Sequence, residues 1–247
     1  MWLSSGRKIG CIALFIIISM TLQGCLYPKD QRKESQQSVR EGVLLVQNAV
    51  DQYQKDSGLL PLISSDESVP RYEKFRVNFD LLKRRDLLSA IPGSAFESGG
   101  SGVYLIIDEE TNPKVKVMDL LTSQRVNDLT RAIDSYKRSK GTVPKQEEIY
   151  PGFYRIDEQL ISVRPAEVQS PFSRRVLEFM MDDQGRVYAD YAQDIMQLID
   201  ASKVQPSGQE KDLRPMLTDA SFYVPVKSVA YKWSKGAPVP QVETSKS

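Results

Sequence analysis

The 247-residue chain has no histidine and only two cysteines, Cys11 and Cys25. Without imidazole there is no Ser-His-Asp or Cys-His nucleophile, no His-ligated zinc and no histidine proton shuttle. Net charge is almost missing as well. Lys and Arg number 33 against 32 Asp and Glu, a formal charge of +1. No basic field therefore points to nucleic acid. The glycine-rich stretch Phe96-Glu97-Ser98-Gly99-Gly100-Ser101-Gly102 lacks the following helix and the Lys-Ser/Thr of a phosphate cradle, and reads as a mobile loop at a binding rim. Asp182-Asp183-Gln184-Gly185 lacks the alternating ligands and distal glutamate of a calcium loop. No cofactor or metal is expected.

What is present is ordinary globular composition, 40% hydrophobic and 26% charged, behind an unusual start. Arg7 and Lys8 precede an uncharged, mostly apolar run from Ile9 to Tyr27. A short basic region ahead of an apolar core is the pattern of a secretory signal. It ends on Leu22-Gln23-Gly24-Cys25, which resembles the lipobox of bacterial lipoproteins. That resemblance implies diacylglyceryl transfer to the Cys25 thiol and cleavage after Gly24. Removal of residues 1–24 would leave a folded part with no thiol beyond Cys25, hence no disulfide. The expected location is the extracytoplasmic face of the cell membrane, held by lipid. Residues 25–37 are polar and read as a membrane tether.

The remainder reads as an internal duplication. Ala49-Val50-Asp51-Gln52-Tyr53 through Gly58 and Pro61 recurs, at an offset of 83, as Ala132-Ile133-Asp134-Ser135-Tyr136 through Gly141 and Pro144. The pairing continues with falling offsets of 77, 76, 74 and 71, so that Asp80 pairs with Asp157, Ser94 with Ser170 and the strand from Val103 with that from Leu177. Val39, Val43, Val46, Val50 and Tyr53 form one helical stripe; Val126, Leu129, Ile133 and Tyr136 form the second. Ser38 and Glu41 make a capping box for the first helix, and Gly58 and Gly141 suit left-handed caps. The continuously apolar run Val103 to Ile107 predicts a strand buried on both faces, and the alternation of Lys114 to Val117 predicts both lysines on a wet face. The predicted class is α+β: two tandem repeats, each a helix plus a small antiparallel sheet. Repeat 1 spans 38–121 and repeat 2 spans 122–190. Residues 191–233 hold a C-terminal helix and an edge strand over Phe222 to Trp233, whose place in a third, degenerate repeat stays open. Residues 234–247, with Pro238 and Pro240, read as a disordered tail.

Acid–base chemistry would have to use carboxylates, lysine or tyrosine. The clusters Asp108-Glu109-Glu110 and Asp182-Asp183 fall at hairpin turns, where turn chemistry accounts for them. Asp51 and Asp134 read as residues that cap or pair within the fold, and Tyr53 and Tyr136 as core. Tyr150-Pro151-Gly152-Phe153-Tyr154 reads as packing, with stacking on a glycan as its other use.

The Cys25-Leu26-Tyr27-Pro28 start, the Ala-x-Asp-x-Tyr helix with its Gly-x-x-Pro turn, and the Phe-Glu-Ser-Gly-Gly loop together resemble a family of uncharacterised Gram-positive lipoproteins, loosely labelled transporter-associated binding proteins. The family implies no catalytic residues, and Cys25 alone carries over, as the lipidation site. A weaker similarity joins the helix and Gly-x-x-Pro turn to pseudopilin globular domains. The expected role is a non-enzymatic binding module at the cell envelope, meeting the membrane through its lipid and an envelope protein or cell-wall glycan through its fold. The alternatives are a carboxylate-dependent envelope enzyme of glycan-hydrolase type, and the solute-binding component of a transporter.

Overall fold

The computed structural model describes residues 29–203, 206 and 212–242. Residues 1–24, Cys25 and the first part of the tether lie outside it. The chain divides into the units Met1–Gln37 and Ser38–Ser247; repeats 1 and 2 and the C-terminal segment share the second unit.

Helix α1 spans Lys29–Ser57. It already runs through Ser38, so the capping box does not start it. Between Lys29 and Gln37 the chain has neither Gly nor Pro, and its Lys, Arg, Gln and Glu residues are good helix formers; residues 29–37 are helix where a tether was expected. The apolar stripe of α1 is the core of repeat 1: Val46 and Val50 are fully buried and Val43 nearly so. Gly58, at φ 71°, ends the helix and donates to Gln54 O at 2.8 Å. The left-handed backbone explains a glycine there.

Four strands follow as an antiparallel meander, β1 (Leu62–Ile63), β2 (Arg76–Val77), β3 (Gly102–Ile107) and β4 (Lys114–Asp119). A short helix α2 (Phe79–Arg84) sits between β2 and β3, capped by Asn78, whose side chain accepts from Leu81 N–H at 2.9 Å. Every residue of β3 is buried, as its unbroken apolar run predicts. Tyr104 and Ile106 face α1, while Val103, Leu105 and Ile107 face Tyr72 and Val224.

The same plan repeats. Asp119 accepts from Thr122 N–H at 2.8 Å and starts α3 (Leu120–Lys140). Val126, Leu129 and Ile133 bury its stripe, and Gly141, at φ 75°, closes it. Then come β5 (Lys145–Tyr150), β6 (Phe153–Ile156), β7 (Glu178–Asp182) and β8 (Val187–Asp190), again a four-stranded antiparallel meander.

The strand registers correct the residue-level alignment of the copies. Leu62 pairs with Val77 as Lys145 pairs with Ile156, and Arg76 pairs with Leu105 as Arg155 pairs with Met180. Val77 thus matches Ile156, and Asn78 rather than Asp80 matches Asp157. At β2 the slip is two residues, which keeps every side chain on its own face, so alternation could not expose it; at β3 it is one, with Leu105 matching Met180 rather than Phe179. Asp80 lies inside α2, so β2 does not end on it.

The C-terminal segment forms α4 (Ala192–Ser202), α5 (Arg214–Ala220) and a hairpin of β9 (Tyr231–Ser234) with β10 (Ala237–Pro240). Part of the expected tail is therefore a strand. Pro238 and Pro240 alternate, so the N–H groups of Ala237, Val239 and Gln241 remain available on the paired side; Gln241 donates to Ala230 O at 2.8 Å. Lys235 and Gly236 turn the hairpin with φ 50° and 83°. Within Phe222 to Trp233, expected to be one strand, only Tyr231–Trp233 lie in β9; the earlier part is a strap. It bridges Tyr223 to Val117 on the edge of β4, and Lys227 O then accepts from Ala189 N–H on the edge of β8 at 2.8 Å. One stretch thereby closes an edge of both sheets. It also brings α5 over β4, so Lys116 is not on a wet face: its ammonium donates to Thr218 O and Ser221 O at 2.5 and 2.6 Å, near the C-terminus of α5. Burial lowers the Lys116 pKa, with Lys114 adding to the effect.

Candidate functional site

Asp51, Asp108, Asp182 and Asp183, among the carboxylates singled out by the sequence, are engaged locally. Asp108 sits at φ 54° in the β3–β4 turn, ion-paired to Arg71, and its carbonyl accepts from Thr111 and Asn112. Asp182 is buried and holds its turn by accepting from the N–H groups of Gln184 and Arg186, both at 2.9 Å, and from Arg186 Nε at 2.6 Å. Asp183 pairs with Lys145 at 3.0 Å, which lowers its pKa. Asp51 accepts from Gln47 at 2.8 Å, and Asp134 is exposed. Among the described residues, no group of three or more Cys, Asp or Glu is placed to hold a metal ion.

The glycine-rich loop is tied down, contrary to its reading as a mobile rim. Gly100 donates to Ala95 O and Gly102 to Ser94 O, at 2.9 and 3.0 Å. A Cβ on Gly100 would lie 2.2 Å from Ser94 O, so the glycine allows a close backbone approach. The Tyr150–Tyr154 cluster packs at the β5–β6 turn. Phe153 is fully buried, Lys145 lies 4.1 Å from the Tyr154 ring centroid, and the Tyr150 hydroxyl donates to Asp190 at 2.9 Å.

Sequence reasoning missed a buried polar network beside that cluster. Asp190 also accepts from the Tyr231 hydroxyl at 3.0 Å and from Ala192 N–H at 2.9 Å, and Tyr231 Oη accepts from Tyr191 N–H at 2.9 Å. Burial pushes the Tyr150, Tyr191 and Tyr231 hydroxyls up, with the Asp190 charge adding to the effect on Tyr150 and Tyr231. These phenols stay protonated, suited to holding the C-terminal hairpin against repeat 2 rather than to proton transfer at neutral pH.

Among the described residues are two surface concavities. One, of about 420 Å³, includes Arg71, Lys74, Asp108, Glu109 and Glu110; its charges are mixed, and Arg71 is already paired to Asp108. The other, of about 560 Å³, runs along α3. Asp128, Arg131, Ala132, Ser135, Tyr136, Ser139 and Lys140 line it, recurring at intervals of three and one, a single helical face. The facing wall is the segment 160–164, with Ile161 and Val163 continuous with the core under α3. Arg125, only 5% exposed, fixes that wall by donating to Arg164 O at 2.9 Å and to Glu158 at 2.7 Å. Arg131 is ion-paired to Asp128.

The copies differ at two groove positions. In repeat 1, Phe79 and Leu82 of α2 and Leu88 beyond it share one core with the first helix. Ala49 and Tyr53 are buried in that repeat, at 4% and 8% exposure. In repeat 2 no helix follows Asp157, and the matching Ala132 and Tyr136 are only half-buried and line the groove. Tyr53 is core, as expected; Tyr136 is a groove wall as well.

Among the described residues, no helix is long and apolar enough to cross a membrane. The chain is similar, over residues 39–119, to a family model described as the YphF family N-terminal domain, a match that coincides with the first repeat. No curated protein and no solved structure matches the chain.

Proposed function

We propose that the chain is a lipid-anchored, extracytoplasmic binding module: a lipoprotein whose Cys25 carries the lipid and whose duplicated domain engages a component of the cell envelope. The observation that carries this reading is Leu22-Gln23-Gly24-Cys25 behind a basic and then apolar start. A thiol is the natural nucleophile for thioether formation, and the small Gly24 gives a peptidase access. Cleavage there would place α1, which begins at Lys29, immediately after the anchor. The local engagement of Asp108, Asp182 and Asp183 favours a binder over the glycan hydrolase, which needs two free carboxyls facing across a cleft. An open groove on repeat 2 favours contact with a large partner over enclosure of a small solute.

The test is intact mass and membrane partitioning of the wild type and Cys25→Ala in a bacterial host with lipoprotein processing. The wild type should lack residues 1–24, gain diacylglyceryl mass and sediment with membranes. Cys25→Ala should keep its precursor length and gain no lipid. A wild type that keeps its full chain without lipid would overturn the proposal.

A further inference from the structure

We infer that the groove along α3 docks an acidic amphipathic helix of a partner protein at the cell envelope. The inference rests on the binding-module reading and names the chemistry of its partner. Ala132, Tyr136, Leu160, Ile161 and Val163 give the groove an apolar strip. Leu160 is 51% exposed, a large apolar side chain offered to solvent on the wall opposite α3. The helix wall runs from Asp128 to Lys140, about 18 Å at the α-helical rise. That length takes about three turns of a second helix laid along the first. An amphipathic helix seated in a groove is a recurrent mode of recognition, read through apolar anchors three and four residues apart.

Charge selects among such helices. Arg131, Lys140 and Arg164 line the groove against one carboxylate, Asp128, which Arg131 already engages. Lys140 ends α3, whereas Arg164 lies on the facing segment that Arg125 fixes, nearer the start of that helix. Cations spread along a groove in this way do not converge on one small anion. They suit carboxylates spaced along a helix, whose apolar face lies on the strip between them. The stems of Lys140 and Arg164 add apolar surface beneath their charged heads. Repeat 1 holds a precedent for the helical form: α2 gives Phe79 and Leu82, three residues apart, to the core it shares with α1.

The test titrates the full-length chain in detergent micelles into a fluorescent peptide of about 12 residues, read by fluorescence anisotropy. The peptide carries leucines at three- and four-residue spacing and glutamates on both flanks. Two control peptides replace its glutamates by lysine or its leucines by serine. Saturable binding of the glutamate peptide is expected, with both controls weaker by about tenfold or more. The double variant Lys140→Glu/Arg164→Glu should invert the preference, losing the glutamate peptide and gaining the lysine one. Leu160→Ser should also weaken the glutamate peptide, while Lys74→Gln in the other concavity should leave it unchanged. Lys140, Leu160 and Arg164 are exposed, so the melting temperatures of their variants should not move. Peptide taken up by micelles is common to wild type and variants and cancels in the comparison. The groove is read whether or not Cys25 carries lipid, so failure here is separate from failure of the anchoring proposal. No saturable binding of the glutamate peptide, or binding undiminished in the double variant, would overturn the inference.

Discussion

The Tyr231 hydroxyl donates to Asp190 at 3.0 Å and itself accepts from Tyr191 N–H at 2.9 Å. One phenol on β9 thus joins the last residue of β8 to the start of α4, and both Tyr191 and Tyr231 are fully buried. Loss of its oxygen would leave the Tyr191 amide and part of the Asp190 carboxylate without partners in the interior. A buried donor left unsatisfied costs about 1–3 kcal/mol. Tyr231→Phe should therefore lower unfolding stability by about that amount, read from the urea midpoint at constant m-value. A variant as stable as the wild type would show that the hairpin is held by apolar packing alone.

Gly42 presents a case where local preference and packing disagree in sign. In an exposed helix, Gly→Ala gains about 1 kcal/mol. Here a Cβ would lie 2.2 Å from Tyr104 Oη and 3.0 Å from Pro92 Cβ. Tyr104 is 1% exposed and bonded to Ser94 at 2.7 Å, so its ring has little room to yield. Gly42→Ala should destabilise by about 1–3 kcal/mol, the usual range for overpacking. Tyr104→Phe removes the clashing oxygen, so the same substitution should cost distinctly less in that background. Equal costs in both backgrounds, measured as a double-mutant cycle, would place the effect somewhere other than this contact.

The parts of the fold legible in the sequence are those in which one period dominates. The stripe from Val39 to Tyr53, the stripe from Val126 to Ile133 and the apolar run in β3 each lead to an element of the expected type. The less legible parts depend on what lies across the chain. Lys116 looks solvated in an alternating strand, yet a distant segment brings α5 over it. Pro238 and Pro240 look like strand breakers, but a two-stranded edge tolerates them in one parity. Ser38 looks like a helix start because capping chemistry is local, whereas the helix continues upstream through residues that favour it. The groove was out of reach for a related reason. Its helix was legible from the stripe Val126 to Tyr136, but its facing wall, residues 160–164, is set by a tertiary contact from Arg125 to Arg164 O.

Asp194 is a buried acid whose charge the fold disfavours. It is 4% exposed, and burial raises its carboxyl pKa against the opposing bonds from Ser173 and Ser170. A raised native pKa means that the folded state holds the proton more tightly than the unfolded chain does. The associated stability is therefore fully present below the unfolded pKa and is lost as pH rises through the native one. The bonds from Ser170 Oγ at 2.8 Å and Ser173 N–H at 3.1 Å end on Oδ1, an acceptor that asparagine retains. Asp194→Asn should accordingly match the wild type at about pH 3, where the acid is neutral in both states, and exceed it at about pH 7. Comparing urea midpoints of the two proteins at each pH cancels groups that titrate alike in both. A gap that stays constant with pH, or that closes as pH rises, would mean that the native carboxylate is stabilised by more than its bonds to Ser170 and Ser173.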